Sequence, residues 1–388
     1  MRIQRIKLKN WRNFPDLDMP FLGRTFVIGP NASGKSNLLG FFRFLRDIAR
    51  EQGGGLQQAF KDRGGLSKVR CFAARANPLI EMEVQLGEWD SEVPKYVYRL
   101  GITQETRGAR RPVVKYEEVL ADGKQVLLRP DDDDKSDPER LTETHLEQTS
   151  ANKEFREIAS FFNDICYLHI VPQMIRSQDT GGLSHGSDDP FGKAFLGRVA
   201  RTAEKIRKGR LTRIERALKI IAPQLAELAF EKDQSGQPHL VARYEHWRPA
   251  AGKQNEVQFS DGTLRAIGLL WMLQEGTSML LIEEPELSLN SEIVKQLPGI
   301  MARVMRKNKR QLLISTHSFE LLADPGIALE ETVLLKPEKE GSVAVTASDD
   351  QSSIEMSRQG MSVAEIVLPM AAPRDAVQLS LRFDSNGD

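Results

Sequence analysis

The most chemically loaded stretch of the chain reads FVIGPNASGKSNLLGFFRFL, residues 26–45. Within it Gly29, Pro30, Asn31, Ala32, Ser33, Gly34, Lys35 and Ser36 satisfy the spacing G-x-x-x-x-G-K-[ST]. The glycines allow a loop whose backbone N–H groups converge on phosphate oxygens, and a helix starting there adds its positive end. Lys35 is spaced to reach the β- and γ-phosphates, and the Ser36 hydroxyl to ligate Mg²⁺. A second loaded stretch, LLIEEP at 280–285, ends an apolar run in two adjacent carboxylates. In a metal–nucleotide site one such carboxylate, Glu283, organises the metal's waters, and the next, Glu284, polarises the attacking water.

These groups need elements to carry them. RTFVIG, before the loop, reads as a short buried strand, and residues 34–52 as a helix ended by Gly53, Gly54 and Gly55. Residues 2–9 alternate basic and apolar, which predicts a strand with a solvated basic face. The runs LIEMEVQL, KYVYRLGI and VVKYEEVL predict an antiparallel β subdomain between about 69 and 128. RPDDDDKSDPER, residues 129–140, reads as a solvated loop. ICYLHIVPQ suggests another strand, SQDTGGLSHGSDDPFG a mobile loop, and 193–208 and 211–228 two helices rich in Arg and Lys. Two further strands follow. SDGT opens an apolar helix, EIVKQLPGIMARVMRKN is a helix interrupted by Pro298, and RQLLISTHS is a second buried strand ending in polar residues.

The order of these features carries a family resemblance. Ser260-Asp261-Gly262-Thr263, about 20 residues before the acidic strand, resembles the signature motif of ABC-type ATPases, and Thr316-His317-Ser318 resembles their histidine switch. Within that class the chain resembles the RecF/SMC/OLD branch. IKLKNWRNF is similar to its opening strand and turn, GKSN, ending in Asn37, to its P-loop exit, and EEPE to its Walker B segment. The resemblance implies an α/β ABC-type P-loop ATPase head: a mainly parallel core sheet flanked by helices, an antiparallel β subdomain and a helical insertion. The implied cofactors are ATP and Mg²⁺. It further implies that Gln173 senses the metal from the Q-loop position, that His317 hydrogen-bonds the γ-phosphate or the attacking water, and that the Arg12–Asn13 turn approaches the nucleotide. Ser260 and Gly262, at a helix N-terminus, make an anion site. In the family that site closes on ATP held by a second subunit, which implies a homodimer through an ATP sandwich. The chain departs from the pattern in having Glu283 where an aspartate is usual, and Leu289-Asn290 where an aspartate or histidine is common.

Bulk properties bound the rest. The 388 residues carry 54 basic and 54 acidic side chains, so no global basic field announces a nucleic-acid partner. Cys71 and Cys166 are far apart and suit a reducing compartment. No apolar run approaches 18 residues and no signal peptide is evident, so a cytoplasmic location away from membranes is expected. The motifs divide the chain into lobe I at 1–174, a helical insertion with short arms at 175–250, lobe II at 251–345 and a C-terminal tail at 346–388. The 225 residues from Lys35 to Ser260 exceed a minimal transporter ATPase and fall short of long coiled-coil arms. Two functions stay open. One is a clamp or motor on DNA, in repair or in defence against foreign DNA, for which the basic helices at 193–228 offer a local surface. The other is a regulatory scaffold that holds and releases a separately encoded nuclease or other effector.

Overall fold

Alternation at the N-terminus builds β1 (Arg2–Trp11), whose Ile3, Ile6 and Leu8 are buried. Its basic face is met across the sheet: Arg5 pairs with Asp18 at 2.6 Å and Lys7 with Glu83 at 3.2 Å. After β2 (Phe14–Pro20), the wholly buried β3 (Arg24–Ile28) leads into the helix Lys35–Ala49. The strands β4 (Ile80–Gly87), β5 (Tyr96–Gln104), β6 (Pro112–Ala121) and β7 (Lys124–Arg129) follow. They complete the expected antiparallel β subdomain, a six-stranded sheet in the order β2-β1-β4-β5-β6-β7. In this computed structural model residues 1–74, 78–177, 191–245 and 252–372 are described. The chain divides into two units, Met1–Ile165 with His317–Asp388, and Cys166–Thr316.

Among the described residues, the strands of the second unit fall into two groups. β8 (Cys166–Leu168), β12 (Leu280–Glu283) and β13 (Leu312–Ser315) form a parallel array with β12 in the middle. β9 (Leu225–Lys232), β10 (Pro238–Tyr244) and β11 (Lys253–Asn255) form a small antiparallel sheet beside the helix Glu204–Ile221. Back in the first unit, β14 (Thr332–Pro337) lies parallel to β3 and antiparallel to β15 (Ser342–Thr346).

Several expectations are corrected. The second basic helix runs over Glu204–Ile221 rather than 211–228, and 225–232 is strand. Pro223 disfavours helical backbone at the residue before it, so the helix stops there. Pro298 opens the helix Leu297–Asn308 instead of interrupting one, its missing N–H costing nothing in the first turn. The residues after 346 include helices at Gln351–Arg358 and Val363–Ala371. The loop expected at 177–192 lies largely outside the described residues.

The aspartate run is the largest correction. Asp132–Ser136 is a short helix with Asp131 and Asp134 in a capping box, and Asp134 is buried. Arg129, 1% exposed, bonds Asp134 at 2.8 Å and Glu117 at 3.0 Å, and Tyr98 donates to Glu117 at 3.0 Å. Burial opposes charge on Asp134, but the Arg129 guanidinium and the Asp131 amide hold its carboxyl far below the usual carboxylate range. Replacing Arg129 by Ala strands two buried carboxylates. The expected loss is about 3–5 kcal/mol of unfolding free energy at neutral pH, measured by denaturant titration.

Candidate nucleotide site

In the first unit the loop at 29–36 joins β3 to the helix Lys35–Ala49. Gly34 caps that helix at φ 101° and Ala32 sits at φ 62°, both left-handed. Such turns bend successive N–H groups toward one point. Gly29 has no room for a side chain, since a Cβ would lie 2.5 Å from Ser33 Oγ and 2.6 Å from the Leu335 carbonyl. Lys35 is 8% exposed and donates to the Gly29 carbonyl at 2.9 Å and the Pro30 carbonyl at 3.3 Å. Ser33 is fully buried and its hydroxyl has no hydrogen-bond partner among the described residues. An orphaned hydroxyl, a buried ammonium and a glycine-lined cradle fit a polyphosphate.

The Arg12–Asn13 turn splits its two side chains. Asn13 donates to the Ser33 carbonyl at 2.9 Å, and Asn37 donates to Asn13 Oδ1 at 2.8 Å. Arg12, left-handed at φ 53°, donates instead to the Lys68 carbonyl at 2.8 Å. Burial, and then the charge of Arg63, lower its pKa. The helix behind the loop is anchored by Trp11, whose ring centroid lies 5.1 Å from that of Phe44 and whose indole N–H donates to the Asn37 carbonyl at 3.0 Å. His317 follows β13 by two residues, and Ser318 next to it caps a short helix.

In the second unit β12 delivers Glu283 and Glu284. Tyr167, beside Leu281 in the parallel register, donates its hydroxyl to Glu283 Oε2. Glu284 sits at φ 46°, a strained conformation for a non-glycine residue, and its N–H is fixed by the Ser315 carbonyl at 2.9 Å. Thr316 donates to Glu286 at 2.7 Å, tying the following turn to the end of β13. Ser260 caps the helix Asp261–Leu273, its Oγ accepting the Thr263 N–H at 3.2 Å. A Cβ on Gly262 would lie 2.5 Å from the Ser288 carbonyl, so the signature turn abuts the loop after the acidic strand. Asn290 in that loop is spent on capping the next helix, accepting the Glu292 N–H at 2.9 Å.

Gln173 donates to Asp261 at 3.3 Å, which joins it to the signature turn; no hydrogen bond links it to Glu283 among the described residues. Arg176, one helical turn on, bonds Asp261 and the Phe259 carbonyl, both at 2.6 Å. It cancels an acidic charge at the turn read as an anion site. Burial lowers the pKa of Arg265 on the same helix, while Asp261 and Glu284 raise it. Tyr167, Arg176 and Arg265 were not singled out from sequence. Arg176 carries a faint signal, lying three residues from Gln173 and so on the same helical face.

This loop, these strands and their order define a P-loop ATPase with the head fold of SMC proteins. The chain superposes on a solved SMC head bound to the C-terminal winged-helix domain of ScpA with a TM-score of 0.55, at 14% identity, covering 89% of this chain and 97% of that one. It belongs to the family described as "AAA domain, putative AbiEii toxin, Type IV TA system", whose model matches residues 24–323, and it is a RecF/SMC-like ABC-type P-loop ATPase. It is also 31% identical over 87 residues to the DNA replication and repair protein RecF of Lactococcus lactis subsp. cremoris (strain MG1363). That match covers 22% of this chain and spans about a quarter, 24%, of the relative's length.

The Tyr167 hydroxyl restrains the Glu283 carboxylate, the kind of support that would orient Glu283 in its expected role as a metal ligand. Tyr167→Phe keeps the ring and deletes the donor. The Mg²⁺ concentration that half-saturates nucleotide binding, followed with a fluorescent ATP analogue, is expected to rise roughly tenfold. An unchanged Mg²⁺ dependence would detach Glu283 from the metal.

Proposed function

We propose that the chain is a Mg²⁺-dependent ATPase that closes around ATP as a homodimer and serves a complex acting in DNA repair or in defence against foreign DNA. The observation that carries hydrolysis is Glu284. A carboxylate at the end of a buried strand, held left-handed and pinned through its own N–H, is positioned at an energetic cost that a purely structural strand end does not require. In this reading the N–H groups of the loop at 29–36 and Lys35 bind the phosphates. Ser36 and Glu283 would hold Mg²⁺, which would supply charge neutralisation to the bound phosphates. Glu284 orients the water and accepts its proton as attack proceeds, and His317 hydrogen-bonds the γ-phosphate. Ser260 and Gly262 offer their helix N-terminus to the ATP of the second copy. Asp261, beside them, is neutralised by Arg176, which supports an anion-binding role for that turn.

One observation favours the scaffold alternative over direct DNA binding. Of the nine Arg and Lys residues between 198 and 219, most are already engaged. Arg198 and Arg210 face Glu275 at 3.4 and 3.6 Å, Arg213 bonds Gln274, and Arg207 stacks over Phe230 at 4.2 Å. Lys208 and Lys219 pair with Glu204 and Glu215. A stripe spent on packing and local pairs offers few charges to a phosphate backbone. In that alternative, ATP closure holds a separately encoded nuclease or other effector, and hydrolysis releases it.

Two variants test the proposal. Lys35→Ala is expected to weaken ATP binding by about 100-fold or more in fluorescence titration, since a buried charged donor to phosphate is lost. Glu284→Gln keeps the carbonyl but not the base, so turnover falls by roughly 100-fold or more while binding persists. Its solution mass should double with Mg-ATP. Duplex DNA in the same peak supports the DNA clamp, and a doubled mass without DNA supports the scaffold. Wild-type turnover in Glu284→Gln would remove the assignment of the two carboxylates.

A further inference from the structure

Asn13 and the β14–β15 turn meet on the phosphate loop. Both Nδ2 hydrogens of Asn13 are used, one on the Ser33 carbonyl and one on Ser342 Oγ, each at 2.9 Å. Its Oδ1 accepts from Asn37 at 2.8 Å, and its backbone carbonyl accepts the Ser342 N–H at 2.6 Å. A side-chain amide has two donors, so Asn13 has none left for a phosphate. Ser342 is 2% exposed and begins β15, paired with Pro337. Glycines on both sides admit this approach: a Cβ on Gly34 would lie 2.2 Å from Asn13 Nδ2, and one on Gly341, at φ 155°, would lie 2.4 Å from the Asn13 carbonyl. Asn13 and Ser342 both fall outside the family-matched residues 24–323.

We propose that the β14–β15 turn is a clasp on the phosphate loop, with Ser342 and Asn13 as positioning residues that hold the Ser33–Gly34 peptide in its phosphate-binding shape rather than as nucleotide ligands. The loop aligns N–H dipoles that repel one another and contains two left-handed residues, Ala32 and Gly34. It therefore needs an external restraint to keep that shape before an anion arrives. Asn13 supplies the restraint at the Ser33 carbonyl, and Ser342 fixes the rotamer of Asn13. Chain segments 329 residues apart thus converge on one peptide.

The proposal rests on the ATP reading of the loop, and the test separates the two. In the full chain, Ser342→Ala removes one acceptor and leaves the Asn13 carbonyl contact in place. Its expected effects are an increase of about fivefold in KM and Kd for ATP, with kcat within about twofold of wild type, as for one lost hydrogen bond. Without nucleotide, amide exchange should accelerate at residues 33–37 and not in β14. Asn13→Asp, which turns a carboxylate toward the Ser33 carbonyl, should weaken ATP binding by about tenfold or more. Wild-type affinity and wild-type exchange at 33–37 in Ser342→Ala would overturn the clasp, as would an affinity loss with no change in loop exchange. If the wild-type chain binds no ATP but Ser342→Ala still loosens residues 33–37, the ATP reading fails and the clasp stands.

Discussion

The shape of the phosphate loop follows from one constraint: the Lys35 side-chain nitrogen is nearly excluded from water, so its hydrogens need partners inside the protein. An ammonium in a dry interior costs several kcal/mol unless its hydrogens are taken. The loop meets part of that demand with its own carbonyls, those of Gly29 and Pro30, and so has to curl tightly over the start of its helix. The curl puts Ala32 and Gly34 in left-handed conformations and leaves Gly29 no room for a side chain. Such a loop is poorly held by its own bonds. It leans on β3 and the helix Lys35–Ala49, on the aromatic cluster around Trp11 and Phe44, and on Asn13 from the N-terminal turn.

The second unit solves a complementary problem with opposite charge. Two adjacent carboxylates at the end of a buried strand repel each other. The chain separates their roles by backbone geometry: Glu283 ends the strand and is held by Tyr167, while Glu284 turns left-handed on the Ser315 carbonyl. The turn that follows is restrained by Thr316 through Glu286 and passes directly against Gly262. The acidic strand end and the signature turn are therefore mechanically continuous within one unit.

The β subdomain and the arm region use charge as structure. Cations that read as a solvated face on β1 are cross-strand partners of Asp18 and Glu83. The aspartate run that reads as loop contributes Asp134 to a buried network around Arg129. The cations between 198 and 219 are largely spent on Glu275, Gln274 and local carboxylates. In each case the charge count was legible and the pairing was not, because a pair is made across strands or helices that only folding brings together.

By itself, the sequence determined the phosphate loop, the acidic strand end, the order of the motifs and the antiparallel subdomain. These depend on local spacing, strand alternation and the few residues that tolerate special backbone angles. Tertiary structure alone decided that Asn13 is spent on the loop and on Ser342, that Arg12 bonds the Lys68 carbonyl, and that Gln173 faces Asp261. It also decided that Tyr167 holds Glu283. Each of these is a choice of partner among residues from 20 to 329 positions apart, and hydrogen-bond saturation settles it only once the backbones are fixed.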